Sequence, residues 1–415
     1  MVKVTPFKGI RPKAELAKAV SALPYDVMNR EEAKAMAAGN DVSFLHISRA
    51  EIDFPDEIGD YEECVYEKAK ENLLRFVKEG TLFMEEKPVY YIYREKMGKT
   101  VQTGIVAGVA VADYQSGAVM KHELTRKEKE QDRINHFDAC NCHTEPVFLT
   151  YRHRDSIDAI VANWVKNHNP QYDFISEDEV THTLWVLDDE KAIAKIEKEF
   201  SALDKIYIAD GHHRTASAAA VGNMRREKGA ENTSAPYEYF MAVIFPDEDL
   251  DVMAYNRVVK RPENKTDAEI LAAISENFTA EKVEGLFYPT KNHEIGLYLE
   301  DGWYRLTAHK SLYENTDPSE NLDAAILQRT VLQPIFGIED VRTDKRIDFI
   351  GGIRGNEEIE RRAKGENSIG FALYPVEIKD LMNISDSGKI MPPKSTWFEP
   401  KLRSGLFMHY LEDEI

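Results

Sequence analysis

The amino-acid sequence predicts a mixed α/β fold, on three observations. From Pro146 onward, short segments rich in β-branched and aromatic residues alternate with segments whose apolar residues recur every three or four positions. Ahead of that alternation, the extended runs 89–93 and 101–111, joined by Met97-Gly98-Lys99, read as a hairpin and bring antiparallel pairing into the sheet. At 415 residues and 43% hydrophobic, the chain is long and apolar enough to bury more than one core.

The elements follow in order. Pro6, Pro12 and Pro24 punctuate the start, and Pro55 with Gly59 marks a loop before a helix at 61–78, where Tyr61, Val65, Tyr66, Ala69, Leu73 and Phe76 share one face. After the hairpin comes a charged helix at 123–137. The alternation then runs strand 147–151, helix 155–167, strand 183–187, helix 190–203, strand 206–209, helix 212–226 and strand 239–245. Beyond Pro262 it continues with helix 267–277, a hairpin over 295–307 turning at Asp301-Gly302, helix 322–335, strand 347–350, helix 357–364 and strand 369–374. The stretch 260–265 divides a region 1–260 from a C-terminal α/β region 261–415.

Charge and composition narrow the function. With 73 acidic against 53 basic residues the net charge is −20, which repels a phosphate backbone, so nucleic acid is not an expected partner. The most basic-looking stretch, 121–133, interleaves Glu123, Glu128, Glu130 and Asp132 and largely cancels itself. No run of 18 apolar residues occurs and residues 1–6 carry no apolar segment, so neither a membrane span nor a signal peptide is expected. Three cysteines, Cys64, Cys140 and Cys142, suit a reducing compartment, and the cytoplasm is the expected location. Small-molecule chemistry is the expectation.

The segment best suited to it is Asp210-Gly211-His212-His213-Arg214, between a buried strand and a helix. Gly211 allows a sharp turn, and a helix starting there aims unpaired N–H groups and partial positive charge at whatever lies above. Arg214 can clamp two phosphate oxygens, Asp210 can hold Mg²⁺ against them, and His212 or His213 can donate to phosphate or move a proton. The alternative is that Asp210 caps the helix and its carboxylate fills the anion position. Ala216, Ser217, Ala218, Ala219 and Ala220 let the helix pack closely on the sheet, which would hold the turn rigid.

This strand, turn and small-residue helix resemble the phosphate-binding signature of the ParB/sulfiredoxin superfamily, which includes the ADP-dependent free serine kinases. The chain as a whole resembles a family of bacterial and archaeal proteins catalogued as domain of unknown function 1015. The marks of that resemblance are Pro6-Phe7-Lys8-Gly9-Ile10-Arg11-Pro12, Pro24-Tyr25-Asp26-Val27, His122-Glu123-Leu124-Thr125, the Asp210 motif and Lys394-Ser395-Thr396-Trp397-Phe398. The resemblance implies a ParB/sulfiredoxin-like core and Mg²⁺- and nucleotide-dependent phosphoryl transfer from ADP or ATP. Gly211 to Thr215 would surround the phosphate, with free serine or phosphoserine as the small substrate. A phosphoserine hydrolase and a non-catalytic nucleotide sensor are the alternatives. Sulfiredoxin chemistry needs a cysteine near the turn, and all three cysteines are distant in sequence.

Phosphorylating an alcohol requires a carboxylate or imidazole near the hydroxyl, a role open to Glu123 or His122. Against it, Glu123, Lys127 and Glu130 have the ion-pairing spacing of a surface helix start. Lys394, Ser395 and Thr396 lie in a Pro-flanked loop and can bind phosphate or carboxylate as a lid, or pack as an ordered tail on Trp397 and Phe398. Asp26 can hold the substrate amine or a metal, or serve the turn after Pro24. Cys140-Asn141-Cys142-His143 has poor zinc spacing and reads as an ordinary loop.

Overall fold

The computed structural model describes residues 1–228 and 234–415. They form two units: Met1–Lys121, Thr125–Leu250 and Pro400–Ile415 make unit 1, and His122–Leu124 with Asp251–Glu399 make unit 2.

Unit 1 is built on a nine-stranded mixed sheet, in the order Val119–Met120, Ile206–Asp210, Val147–Tyr151, Tyr239–Pro246, Thr100–Ala110, Tyr90–Met97, Thr181–Leu187, Tyr172–Ile175, with Val4–Thr5 beside Thr100–Ala110. Val119–Met120 runs parallel to Ile206–Asp210, and Val147–Tyr151 parallel to Tyr239–Pro246; the other pairs are antiparallel. Tyr239–Pro246 is buried at every position, which is why its sequence is continuously apolar rather than alternating. On one face Ile105, Val109, Leu149, Ile206, Ile208 and Ile244 pack against Ile157, Ile196, Phe200 and Val221 from the helices Asp155–Asn167, Glu190–Ser201 and His212–Lys228.

The class expected from the alternation is the class observed, and the differences are local. The charged helix starts at Lys127, not at 123, because Arg126 stays extended at φ −93, ψ 127 and donates its backbone N–H to His213 Nε2 at 2.9 Å. Val111 opens a short helix, Val111–Ser116, that ends on Gly117 at φ 82, so the preceding strand stops at Ala110. Tyr172–Ile175 is a strand that the pattern does not announce: at the sheet edge only Tyr172 is buried, so no apolar alternation marks it.

Unit 2 carries a six-stranded antiparallel sheet, ordered Phe278–Lys282, Gly302–Ala308, Glu294–Leu299, Ser368–Ala372, Tyr255–Lys260, Ile347–Gly351. Val259, Leu297, Leu306 and Phe371 pack with Ile270, Ile326, Leu327 and Leu332. The helix expected over 322–335 is three consecutive pieces, Asp323–Leu327, a π turn Gln328–Leu332, and Gln333–Phe336. Pro334 has no N–H to offer the carbonyl four residues back, and the ladder widens just before it. Among the described residues no helix is long and apolar enough to cross a membrane.

Candidate functional site

A bulge aims the key carboxylate. Ile208 pairs with Leu149 and Asp210 with Phe148, so Ala209 is an extra residue on its strand. Without it, Asp210 would follow Ile206 and Ile208 onto the face of the main core. With it, Asp210 shares the opposite face with Phe148, since cross-strand partners point the same way. There Lys401 Nζ meets Asp210 Oδ2 at 3.1 Å, while Asp210 Oδ1 accepts the Gly211 N–H at 2.8 Å. That carboxylate oxygen grips the turn one residue ahead of the helix, which begins at His212. Burial alone would raise the Asp210 carboxyl, but the charges of Lys401 and Arg214 and its two hydrogen bonds hold it well below its ordinary 3.8.

The helix then supplies a buried guanidinium. Thr215 N–H makes the first bond back, to Gly211 C=O at 2.9 Å, and its hydroxyl doubles that bond at 3.1 Å. His212, His213 and Arg214 therefore carry the N–H groups that precede the helical ladder. Arg214 is 3% exposed. It donates Nη1 to Pro146 C=O at 2.6 Å and stands 4.0 Å from Asp26, while its Nε has no hydrogen-bond partner among the described residues. Burial works against the Arg214 charge, and Asp26, Asp210 and Glu145 more than restore it.

Around Arg214 lie groups that sequence reasoning missed. Glu145 is buried, with Oε1 accepting from Tyr25 N–H at 3.0 Å and Ser404 hydroxyl at 2.9 Å. Its Oε2 has no hydrogen-bond partner among the described residues and stands 3.8 Å from Arg133 Nη1, which also lacks one. Burial pushes the Glu145 carboxyl up, and Arg214 and Arg133 only partly oppose it. Arg133 lies 4.0 Å over the Tyr25 ring and pairs with Asp132. Three buried charged side chains thus leave polar atoms unmatched around one turn, an expensive arrangement unless something fills it. The available signal was Glu145 directly before Pro146 and a fully buried strand, a place where a carboxylate is uncommon unless it is paired; nothing local marked Lys401.

The remaining candidates divide between the units. In unit 1, Asp26 sits in the 3-10 turn Tyr25–Val27 with its side chain 43% exposed, His212 is buried, and His213 is half-buried with Nε2 accepting from Arg126. In unit 2, His122 is buried and its C=O accepts from Met391 N–H at 2.8 Å, while Glu123 lines a cavity with Arg342. Lys394, at φ 59, lies over the Tyr255 ring at 5.5 Å and its C=O accepts from Arg257. Ser395 donates to Pro392 C=O at 2.6 Å, and Thr396 follows it just ahead of the strand Trp397–Glu399. Cys140, Cys142 and His143 do not converge as metal ligands among the described residues.

Gly211 yields a prediction that depends on geometry alone. It sits at φ +91, and a Cβ there would lie 3.2 Å from Arg214 Cζ and Nε. Gly211→Ala is expected to cost about 1–2 kcal/mol in backbone strain and to displace the guanidinium. Urea denaturation measures the first, and loss of protection of Arg214 against phenylglyoxal the second. Unchanged stability would mean that the turn tolerates a side chain.

Comparison with curated proteins gives no match. Among solved structures the chain is similar to SbnI with a C-terminal truncation from Staphylococcus aureus, at 10% identity over 72% of this chain and 85% of that one, TM-score 0.40. It is similar to a free serine kinase in complex with AMP, at 13% identity over 74% and 91%, TM-score 0.38. It is also similar to a conserved hypothetical protein from Pyrococcus furiosus, at 13% identity over 73% and 95%, TM-score 0.35. By its match over residues 4–325, the chain belongs to the family described as protein of unknown function, DUF1015.

Proposed function

We propose that the turn at Asp210–Arg214 is the phosphate end of a phosphotransferase site for a small hydroxy amino acid, free serine or phosphoserine, with ADP or ATP as the second substrate. The observation that carries this reading is the buried Arg214 guanidinium, with an unmatched Nε, standing 4.0 Å from the half-exposed Asp26. A cation and an anion side by side suit a zwitterion: phosphate on Arg214 and the helix start, ammonium on Asp26. The resemblance of the Asp210 motif to the free serine kinase signature supports the same substrate class.

In the forward direction the serine hydroxyl oxygen bonds to the transferred phosphorus as the donor's terminal P–O bond breaks. The leaving oxygen stays with the nucleotide, and the hydroxyl proton passes to a carboxylate. Glu145, its side chain fully buried beside Arg133, serves by holding the Tyr25 N–H and the Ser404 hydroxyl in place. Lys401 holds Asp210 ionised and in place, so Asp210 contributes by fixing the turn. Mg²⁺ fits here as a counter-ion to nucleotide phosphates; as a ligand at Asp210 it would compete with Lys401 and the Gly211 N–H, which occupy both oxygens.

Phosphorus NMR tests the proposal directly. Serine with Mg²⁺ and ADP, serine with Mg²⁺ and ATP, and phosphoserine alone are incubated with the full chain, and phosphoserine is expected in a serine tube. No change in any tube overturns the enzymatic reading, and thermal stabilisation by nucleotide without turnover replaces it with a sensor. Inorganic phosphate from phosphoserine alone replaces the kinase with a hydrolase. Glu123→Gln, compared in the same assay, tests whether that carboxylate takes the proton.

A further inference from the structure

The helix Lys127–Cys140 starts on a residue that cannot cap it. Its N-cap is Arg126, whose guanidinium only donates and cannot accept from the first-turn N–H groups as Ser, Thr, Asp or Asn would. The start is secured from outside instead. Arg126 C=O accepts the Glu130 N–H at 3.0 Å, the first bond of the helical ladder, while the Arg126 N–H lies outside that ladder and donates to His213 Nε2 at 2.9 Å. Next to it, the Thr125 hydroxyl donates to Glu130 Oε2 at 2.7 Å, and the Ser217 hydroxyl donates to Glu130 C=O at 2.9 Å. His213 and Ser217 stand four residues apart on the helix His212–Lys228, so one face of that helix grips the entry to the other at two points.

That grip fixes the state of the imidazole. A peptide N–H only donates, so His213 Nε2 presents its lone pair to Arg126. Turning the ring over would bring Cε1 to the same place, and a carbon accepts nothing. A neutral imidazole has one N–H and one acceptor nitrogen, and the hydrogen bond made at one nitrogen decides where the proton sits. Here it sits on Nδ1. An imidazolium carries an N–H on both nitrogens and would set two donors against each other at 2.9 Å. Taking up a proton at Nε2 therefore breaks the Arg126 bond and opens the clasp beside the phosphate turn.

We infer that His213 is a positioning residue: a neutral imidazole with its proton on Nδ1, whose Nε2 ties the segment 125–126 to the phosphate turn, and which carries no proton in the reaction. Its part in a reaction rests on the phosphotransferase reading; the tautomer and the clasp do not. His213 carries one of the N–H groups that precede the helical ladder and directly precedes Arg214. Anchoring its ring therefore steadies the backbone that aims those groups, the support a preorganised anion site requires.

Nitrogen-15 NMR of the full chain tests the state of the ring, and hydrogen exchange of the Arg126 amide tests the clasp. At neutral pH the His213 ring is expected to show a protonated Nδ1 and an unprotonated Nε2, its signals assigned by their loss in His213→Gln. The amide comparison uses side-chain reach. Glutamine can set its oxygen where Nε2 stands and is expected to keep the Arg126 N–H protected. Asparagine is too short and is expected to speed its exchange about two- to tenfold, the net contribution of one hydrogen bond. In the phosphoserine assay His213→Gln is expected to stay within about tenfold of wild type and above His213→Asn, whereas loss of a proton carrier costs about a hundredfold or more. A proton on Nε2, an imidazolium at neutral pH, or an Arg126 amide that exchanges equally slowly in His213→Asn and wild type each overturns the assignment. So does a drop of about a hundredfold in His213→Gln with the amide still protected, which would place the ring at the reacting atoms. No turnover by wild type would sink the phosphotransferase reading, while the ring and amide results would still decide the tautomer and the clasp.

Discussion

Arg214→Ala is expected to destabilise unit 1 by about 3–5 kcal/mol, the usual cost of removing one partner from a buried charge cluster. Arg214 stands 4.0 Å from Asp26, its charge acts on Asp210 and Glu145, and Pro146 C=O loses its donor. Glu145 would be left buried with the like charge of Asp26 acting on it, and the helix start offers only partial charge. Urea denaturation at an unchanged slope measures the loss. Activity separates structure from chemistry. Arg214→Lys retains the charge but has one compact ammonium in place of a planar fork, so it cannot both hold Pro146 C=O and present two donors to a phosphate. It is expected to recover much of the stability while turnover stays down by about two orders of magnitude or more, in line with loss of a preorganised oxyanion donor. A stable Arg214→Lys protein with full turnover would remove the guanidinium from the reaction.

The second large effect is a pH dependence at the Asp210–Lys401 pair. Asp210 titrates below its ordinary 3.8 in the folded protein. A carboxyl with a depressed folded value stabilises the fold above its unfolded value, and that contribution is lost as pH falls through the folded one. Wild type should therefore exceed Asp210→Asn in stability by roughly 1–2 kcal/mol at neutral pH, allowing for the solvent that reaches a third of the carboxylate. The gap should hold down to about pH 4 and close below it. Lys401→Met should cost a similar amount, and the double variant less than the sum of the two, because each single change strands the other charge. A gap that stays constant from pH 7 to pH 3, or strict additivity, would show that the 3.1 Å contact contributes nothing. Phosphoryl transfer should fall with either single change, since the pair anchors the segment that positions Arg214.

Much of the fold was readable because local periodicity and turn chemistry report on it directly. The strands 147–151, 206–210 and 239–246 are apolar runs between turn residues, and the helices 155–167 and 190–201 carry one apolar face each. Where reading failed, the pattern was weak or overridden. The edge strand Tyr172–Ile175 buries one residue, and Arg126, which the charge pattern places inside a helix, is held extended by the His213 ring.

The site divides along the same line. Consecutive residues could announce Asp210 to Thr215, because a glycine turn between an apolar strand and a small-residue helix is a local motif with a local mechanism. They could not announce that a bulge at Ala209 turns Asp210 away from the main core, or that Lys401, nearly two hundred residues later, neutralises it. Nor could they tell whether Asp210 would close the anion position; the bond to Gly211, ahead of the helix, is a matter of strand register and backbone angle. Glu145 and Arg133 became part of the site only when packing put them in one dry space. The partners of a buried charge are chosen by three-dimensional proximity and by the absence of water, and neither is written in the spacing of residues along a chain.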